Sequence, residues 1–366
     1  MNQSMLRQER TAGLMFALPF CVSLFVFFVY ALVRTVLFSF QTYDLFSTPE
    51  WVGVANYIAL LTDPLFALAL KHSLAFAVVV TTLQTGLALL LALAANQKIK
   101  GRGAFRTIFY FPSILSSAAM TLIFLWLFQR QGLINQGLGW LSAHGGLIVT
   151  GGLLFFALQT LQFLWKRRKY TWMRWGDPFN GLVSFAVTVV VMVIMAGYGI
   201  GVRALEQPVA ITWLNTREVW GPLPRTIWAI VAMNIFTTVP TLMLLYLAGL
   251  QSIPESLYEA ARIEGASRWQ QLRHVTWPRL MPVSFTVVTL GIIGTLQMFD
   301  QVALLGDAAP LESKVTLAYF TYHNAFPPGG SPRIGMASAA ALVLATLTLI
   351  LVLIQRAVGV SETTND

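Results

Sequence analysis

Charge is scarce in this chain of 366 residues: only 11% are Asp, Glu, Lys or Arg, while 56% are hydrophobic. An ordinary globular protein carries roughly 25% charged residues, so this one could not keep a water-facing surface. The apolar content also excludes a disordered chain. A single cysteine, Cys21, excludes a disulfide scaffold. The four histidines, His72, His144, His274 and His323, fall in separate segments without metal-ligand spacing. No G-x-x-x-x-G-K-[ST] loop is present to cradle a nucleotide phosphate, so the chain is not expected to be an ATPase, or an enzyme of any other kind. Gly197, Gly199 and Gly201 sit inside an apolar run, where small residues read as helix packing.

What is there in quantity is apolar sequence. A helix needs about 20 apolar residues to cross a hydrocarbon core near 30 Å thick. Eight charge-free runs qualify: Thr11 to Val33, Ser73 to Ala95, Thr107 to Gln129, Gly145 to Trp165, Pro178 to Val202, Thr226 to Pro254, Leu280 to Phe299 and Ile334 to Gln355. The expected fold is therefore an all-α integral membrane bundle of eight transmembrane helices. Arg34 and Lys71 are expected at helix ends, from which long side chains can snorkel. Ionisable groups inside the runs are otherwise missing, which argues against a proton or ion relay.

Placing the N-terminus in the cytoplasm puts Arg7, Arg10, Lys98, Lys100, Arg102, Arg106, Lys166, Arg167, Arg168, Lys169, Arg174, Arg262, Arg268, Arg273, Arg279 and Arg356 on the inner side. That is most of the 24 basic residues, so the positive-inside rule places both termini in the cytoplasm, and the net charge of +9 reads as topology. The first run, behind Arg7 and Arg10, reads as a retained signal anchor. The chain then divides into a cytoplasmic N-terminus (1–10), three spans (11–140), a two-helix hairpin (145–202), three further spans (203–356) containing a cytoplasmic loop at 251–279, and a cytoplasmic tail (357–366).

That loop has helix punctuation of its own. Pro254 can start a helix, Glu255 and Glu259 suit its positive end, and Ala260 and Ala261 are good helix formers with little bulk. Gly265 permits a left-handed turn, Ser267 can cap a second short helix, and Pro278 is expected to stop it. Two short helices meeting at a glycine form an elbow. Its small alanines would let a partner approach, with Glu259, Arg262, Arg268 and Arg273 setting register. An interfacial helix lying on lipid fits the same composition.

Glu259-Ala260-Ala261, three residues, Gly265, nine residues and then Val275-Thr276-Trp277-Pro278 resembles the EAA loop of permease subunits of binding-protein-dependent ABC importers, with Val275 and Trp277 as apolar departures. Trp51-Val52-Gly53-Val54-Ala55-Asn56-Tyr57, Phe111-Pro112, Gly132-Leu133-Ile134-Asn135 and the segment Leu247 to Pro254 resemble its carbohydrate branch, the MalF-type permease. The resemblance implies a type I ABC importer permease fold in a bacterial plasma (inner) membrane. It implies that Glu259, Ala260, Ala261, Arg262, Gly265, Arg268, Val275 and Pro278 engage an ATPase. It further implies a second homologous permease, two ATPase subunits that bind ATP and Mg, and an extracytoplasmic sugar-binding protein; no cofactor is expected on this chain. Residues 145–202 become an inserted hairpin, since the family plan has six spans.

Sugars are held by hydrogen bonds to hydroxyls and by aromatic stacking, so a passage should show amides and hydroxyls in greasy helices. Asn234, Thr237, Thr238 and Thr241 share one face of the sixth run. By resemblance, Asn234, Thr238 and Thr241, with Gly294, Thr295 and Met298, match sugar-contacting positions; Gln297 lies beside them. Interhelical hydrogen bonding is the alternative use of such groups. The expected function is import of a carbohydrate, maltose- or trehalose-like, by ATP-driven alternating access. The alternatives are an importer of another solute such as glycerol phosphate, or an ion-coupled transporter. A phosphorylated solute would want basic groups in the passage, and the runs offer none.

Overall fold

A computed structural model describes residues 3–96, 103, 107, 109–167, 178–201 and 210–363. Lys98, Lys100, Arg102, Arg106, Arg168, Lys169 and Arg174 lie outside the described residues. The first span is a continuous rod of α1 (Gln3–Leu24), a π-helical turn at Phe25–Val29, and α2 (Tyr30–Ser39). It therefore runs past the expected end, and Arg34 lies within it, 4.5 Å from the centre of the Phe38 ring. A cation–π contact, not a helix end, accommodates that charge. Two short strands, β1 (Gln41–Thr42) and β2 (Glu50–Trp51), pair antiparallel and lead to α3 (Ala55–Thr62).

The second span, α4 (Pro64–Ala95), starts well before the charge-free run because Asp63 caps it, accepting from the backbone of Leu65 and Phe66. Lys71 is thus also inside a helix. The third run breaks: a 3₁₀ turn at Phe111–Ile114 precedes α5 (Ser117–Leu127). Pro112 cannot donate a helical hydrogen bond and disfavours helix at the residue before it. What remains of the run is a helix only about 17 Å long.

The next two helices are α6 (Leu133–Arg167) and α7 (Pro178–Gly197). A second short pair, β3 (Val219–Trp220) and β4 (Leu223–Pro224), leads into α8 (Arg225–Ser252). Then come α9 (Glu255–Ile263), α10 (Arg268–Gln271), a π turn at Leu272–Thr276 and α11 (Trp277–Leu296). The short helices α12 (Asp300–Leu304), α13 (Leu311–Lys314) and α14 (Leu317–Ala325) precede α15 (Ile334–Thr363). Among the described residues, 6 stretches are long and apolar enough to cross a membrane: Met15–Ser39, Pro64–Ala95, Leu133–Trp165, Arg225–Ser252, Arg268–Leu304 and Ile334–Ala357. Ser117–Leu127 and Gly181–Gly197 are shorter, so the expected count of eight full spans is not reproduced.

The chain forms two compact units, one of Met1–Phe124 with Leu214–Asp366 and one of Leu125–Trp213. In the first, Ala88, Ala92 and Ala95 of α4 are buried in one cluster with Met243, Tyr246 and Leu250 of α8 and Leu280 and Val287 of α11. Lipid tails are as apolar as these side chains, so close packing and hydrogen bonds, not escape from water, hold the helices together. A Cβ at Gly249 would lie 2.7 Å from Val283 Cγ2, which shows how closely α8 approaches α11. In the second unit, α6 and α7 form a hairpin bridged by the Ser184 hydroxyl donating to Gln159 Oε1 at 3.0 Å. Asn135 ties its base: Nδ2 donates to the carbonyls of Arg130 (2.9 Å) and Ile211 (2.8 Å), and Oδ1 accepts from Trp213 Nε1 (2.9 Å).

Candidate functional site

Asn234, Thr237, Thr238 and Thr241 on α8 meet Gly294 and Thr295 on α11 around one cavity of about 410 Å³. The threonine spacing puts these side chains on one face of α8, which runs unbroken through Pro240. The helix forgoes the single hydrogen bond that Pro240 cannot donate. Gln297 and Met298 do not line the cavity. α11 ends at Leu296 and Gln297 caps it, so the helical periodicity that would have aimed both side chains is lost. Gln297 is exposed, while Met298 is buried and its carbonyl accepts from the Thr316 hydroxyl at 3.0 Å.

Among the described residues, none lining the cavity is charged, and its polarity comes from amides and hydroxyls. Thr237 turns its hydroxyl onto its own helix, towards the carbonyls of Met233 (3.1 Å) and Asn234 (3.0 Å). Thr238 Oγ1 reaches two acceptors at 2.8 Å, the carbonyl of Asn234 and Oε1 of Gln84 on α4. Asn234 Nδ2 donates to Gln301 Oε1 at 3.3 Å, while Asn234 Oδ1 is buried with no partner. A buried acceptor left unpaired costs about 1–3 kcal/mol, which an incoming hydroxyl could recover. Thr295 bonds back to Gly291 O at 2.7 Å and approaches Thr81 Oγ1 at 3.4 Å. Helix-to-helix bonds and an unspent acceptor therefore coexist around one space.

Gln84 and Gln301 line this cavity and were not singled out from the sequence. Gln84 had a signal: it is the lone amide in the charge-free run Ser73 to Ala95. Gln301 had none, since it lies beyond the end of the seventh run.

The elbow follows directly from α8. Pro254 precedes α9, and Gly265 has φ +80°. Ala266 N–H bonds to Ala261 O (2.9 Å) and Gly265 N–H to Arg262 O (3.1 Å), the paired bonds of a Schellman motif. Ser267 then forms a capping box with Gln270: Ser267 Oγ accepts from Gln270 N, and Gln270 Oε1 accepts from Ser267 N at 2.7 Å. Pro278 does not stop the second helix. The π turn shifts the bonding so that Trp277 N–H reaches Leu272 O, and Pro278 falls in the first turn of α11, where a missing N–H is harmless.

Glu259, Ala260, Arg262, Gly265, Arg268 and Pro278 are exposed, and Ala261 and Val275 half-buried. Ile263 and Trp269 stand 88% and 68% exposed at the tip. The inner side is fixed: Leu257 and Tyr258 pack on the α4–α8–α11 core, and Tyr258 Oη lies 3.0 Å from Thr276 Oγ1.

The elbow and the cavity both lie within residues 84–359, which match the model of a known family, the binding-protein-dependent transport system inner membrane component. The chain belongs to that family. YesP of Bacillus subtilis, a probable ABC transporter permease protein, is 25% identical over 95% of this chain and 90% of its own length. The trehalose/maltose transport system permease protein MalF of Thermococcus litoralis is 27% identical over 87% of this chain and 85% of its own. A solved chain of a bacterial ABC transporter involved in the import of the acidic polysaccharide alginate has a TM-score of 0.68 at 19% identity, covering 97% of this chain and 98% of that one. It shares the fold. As a permease of this family, the chain is a multi-pass inner-membrane protein.

Away from the cavity, a corner is held by Lys314, which donates to the Gly306 carbonyl and lies 5.2 Å from the Tyr319 ring centre. Burial pulls the Lys314 ammonium below its ordinary pKa, and Asp307 partly offsets this. Burial, with Lys314 as a lesser cause, also lowers His323, whose ring lies 6.1 Å from that of Tyr319.

Proposed function

We propose that the chain is one of two homologous permease subunits through which a carbohydrate enters the cell by alternating access. ATP and Mg act on two separate ATPase subunits, and an extracytoplasmic binding protein delivers the sugar. Both termini face the cytoplasm, as the basic residues suggest. The observation that carries this reading is a covalent one: the elbow at 253–276 enters from α8 and leaves into α11, and these two helices line the cavity. A push on the elbow is therefore delivered along helix axes. From Ser252 to Thr241 the distance is about 16 Å, a rigid lever at 1.5 Å per residue. An uncharged cavity within the roughly 300–1,000 Å³ range of small-molecule sites suits a neutral polyhydroxyl solute better than a phosphorylated one. The name of the trehalose/maltose relative supports the same class.

The test is uptake of radiolabelled trehalose and maltose by proteoliposomes holding both permeases and the ATPases, with binding protein outside. Uptake should require ATP inside and survive ionophores. Uptake that ionophores abolish, or that persists without the ATPase subunits, would refute the proposal.

A further inference from the structure

We infer that Gln84 on α4 is a specificity-determining residue of the sugar site, a third polar wall facing the two helices on which the sequence placed that site. The inference rests on the carbohydrate reading above. Gln84 is only 2% exposed yet lines the cavity. A primary amide inside a membrane bundle needs a reason, because each polar atom there must find a partner. One partner is visible: Oε1 accepts from Thr238 Oγ1 at 2.8 Å. The amide nitrogen lies on the other side, facing Gly291 of α11, where a Cβ would sit 2.7 Å from it. That glycine leaves the Nε2 hydrogens room at the edge of the cavity, which Gly291 also lines.

The remaining polar atoms offer the opposite capability. The Thr238 proton is committed to the wall, to Gln84 or to its own helix, and the Asn234 amide hydrogens are turned toward Gln301. What α8 has left for a ligand is acceptor capacity, including the unpartnered Asn234 Oδ1. Gln84 Nε2 supplies a donor from α4 on the wall of the same cavity. A sugar hydroxyl both donates and accepts, so it can satisfy acceptors on α8 and the donor on α4 at once. A solute lacking a hydroxyl at that position would leave Gln84 Nε2 and Asn234 Oδ1 unpaired, and an unmade hydrogen bond discriminates strongly.

The test uses the reconstituted complex with its binding protein and labelled trehalose, maltose and lactose, flux being normalised to assembled complex. Gln84→Met keeps the bulk and removes the donor. Gly291→Ala leaves the amide in place chemically but pushes a methyl against Nε2 and, at 3.1 Å, against Thr81 Cγ2. Each should lower flux of the transported sugar about ten-fold, the worth of one hydrogen bond to the reacting face of the site. The double variant should lose less than the product of the two single losses, because both act in part through the same group. Selectivity among the three sugars should shift in both. A Gln84→Met complex that assembles poorly yet carries sugar at the wild-type rate per complex makes Gln84 a packing residue and overturns the inference while leaving the carbohydrate reading standing. Strictly additive losses overturn the Gln84–Gly291 link. A wild-type complex that carries none of the three sugars counts against both readings.

Discussion

Gly265 separates two sources of damage that are usually confounded. Its φ of +80° lies where L side chains are strained, and nothing lies within 4 Å of where a Cβ would be. Within this chain, Gly265→Ala and Gly265→Trp therefore carry the same penalty, about 1–2 kcal/mol for a left-handed backbone. Gly265 is exposed, so a tryptophan ring can turn outward from this chain. A loss shown by Gly265→Trp beyond that of Gly265→Ala then points to a body outside the chain. If an ATPase subunit closes around the elbow, forcing a large side chain into that contact costs a further ~1–3 kcal/mol, or roughly 5- to 150-fold. Sugar taken up per ATP hydrolysed, measured on one proteoliposome preparation, should drop by that factor for tryptophan relative to alanine. Gly265→Asn, which tolerates the left-handed region, should fall between glycine and alanine. Equal ratios for the alanine and tryptophan variants would refute the idea that a partner grips this turn.

Three further outcomes follow from the hydrogen bonds and charges. Asn135→Ala removes the acceptor for the Trp213 indole N–H and the donor to the Arg130 and Ile211 carbonyls, so the base of the 125–213 unit should lose about 2–3 kcal/mol, read by hydrogen exchange at residues 129–135. Gln355→Leu removes the bonds from Thr289 Oγ1 (2.9 Å) and to Phe285 O (3.0 Å) that join α15 to α11, and should lower the unfolding free energy of the purified chain by about 1 kcal/mol. His323 has a folded pKa below its ordinary value, so the unfolded chain takes up the proton first. Its contribution is intact above about pH 6.5 and fades as pH falls through that value toward the folded pKa. The acid-side decline in melting temperature should be shallower in His323→Gln; an identical decline would remove His323 as its source.

Local chemistry made the elbow legible, and non-local chemistry hid part of the cavity. Pro254, Gly265 and Ser267 act through their own backbone and the next few residues, so reading them in order anticipated a helix, a left-handed turn and a cap. Pro278 misled because a proline breaks a helix only where its missing N–H was needed. The π turn at 272–276 moved that need one residue back, a change of register that no residue type announces. Pro112 shows the reverse: an apolar run long enough to span carried its own breaker, and counting charges passed over it. The threonine face of α8 was visible because its period is a property of one helix. The partner of Thr238 was not, since Gln84 lies 154 residues away and only the packing of α4 on α8 brings them together. A polar residue inside a membrane helix states that a partner exists, but not which one. Finding Gln84 required only the question of what satisfies its amide; answering it required the neighbouring helices, because half of that amide is bound to one of them and the other half is left facing a glycine on the next.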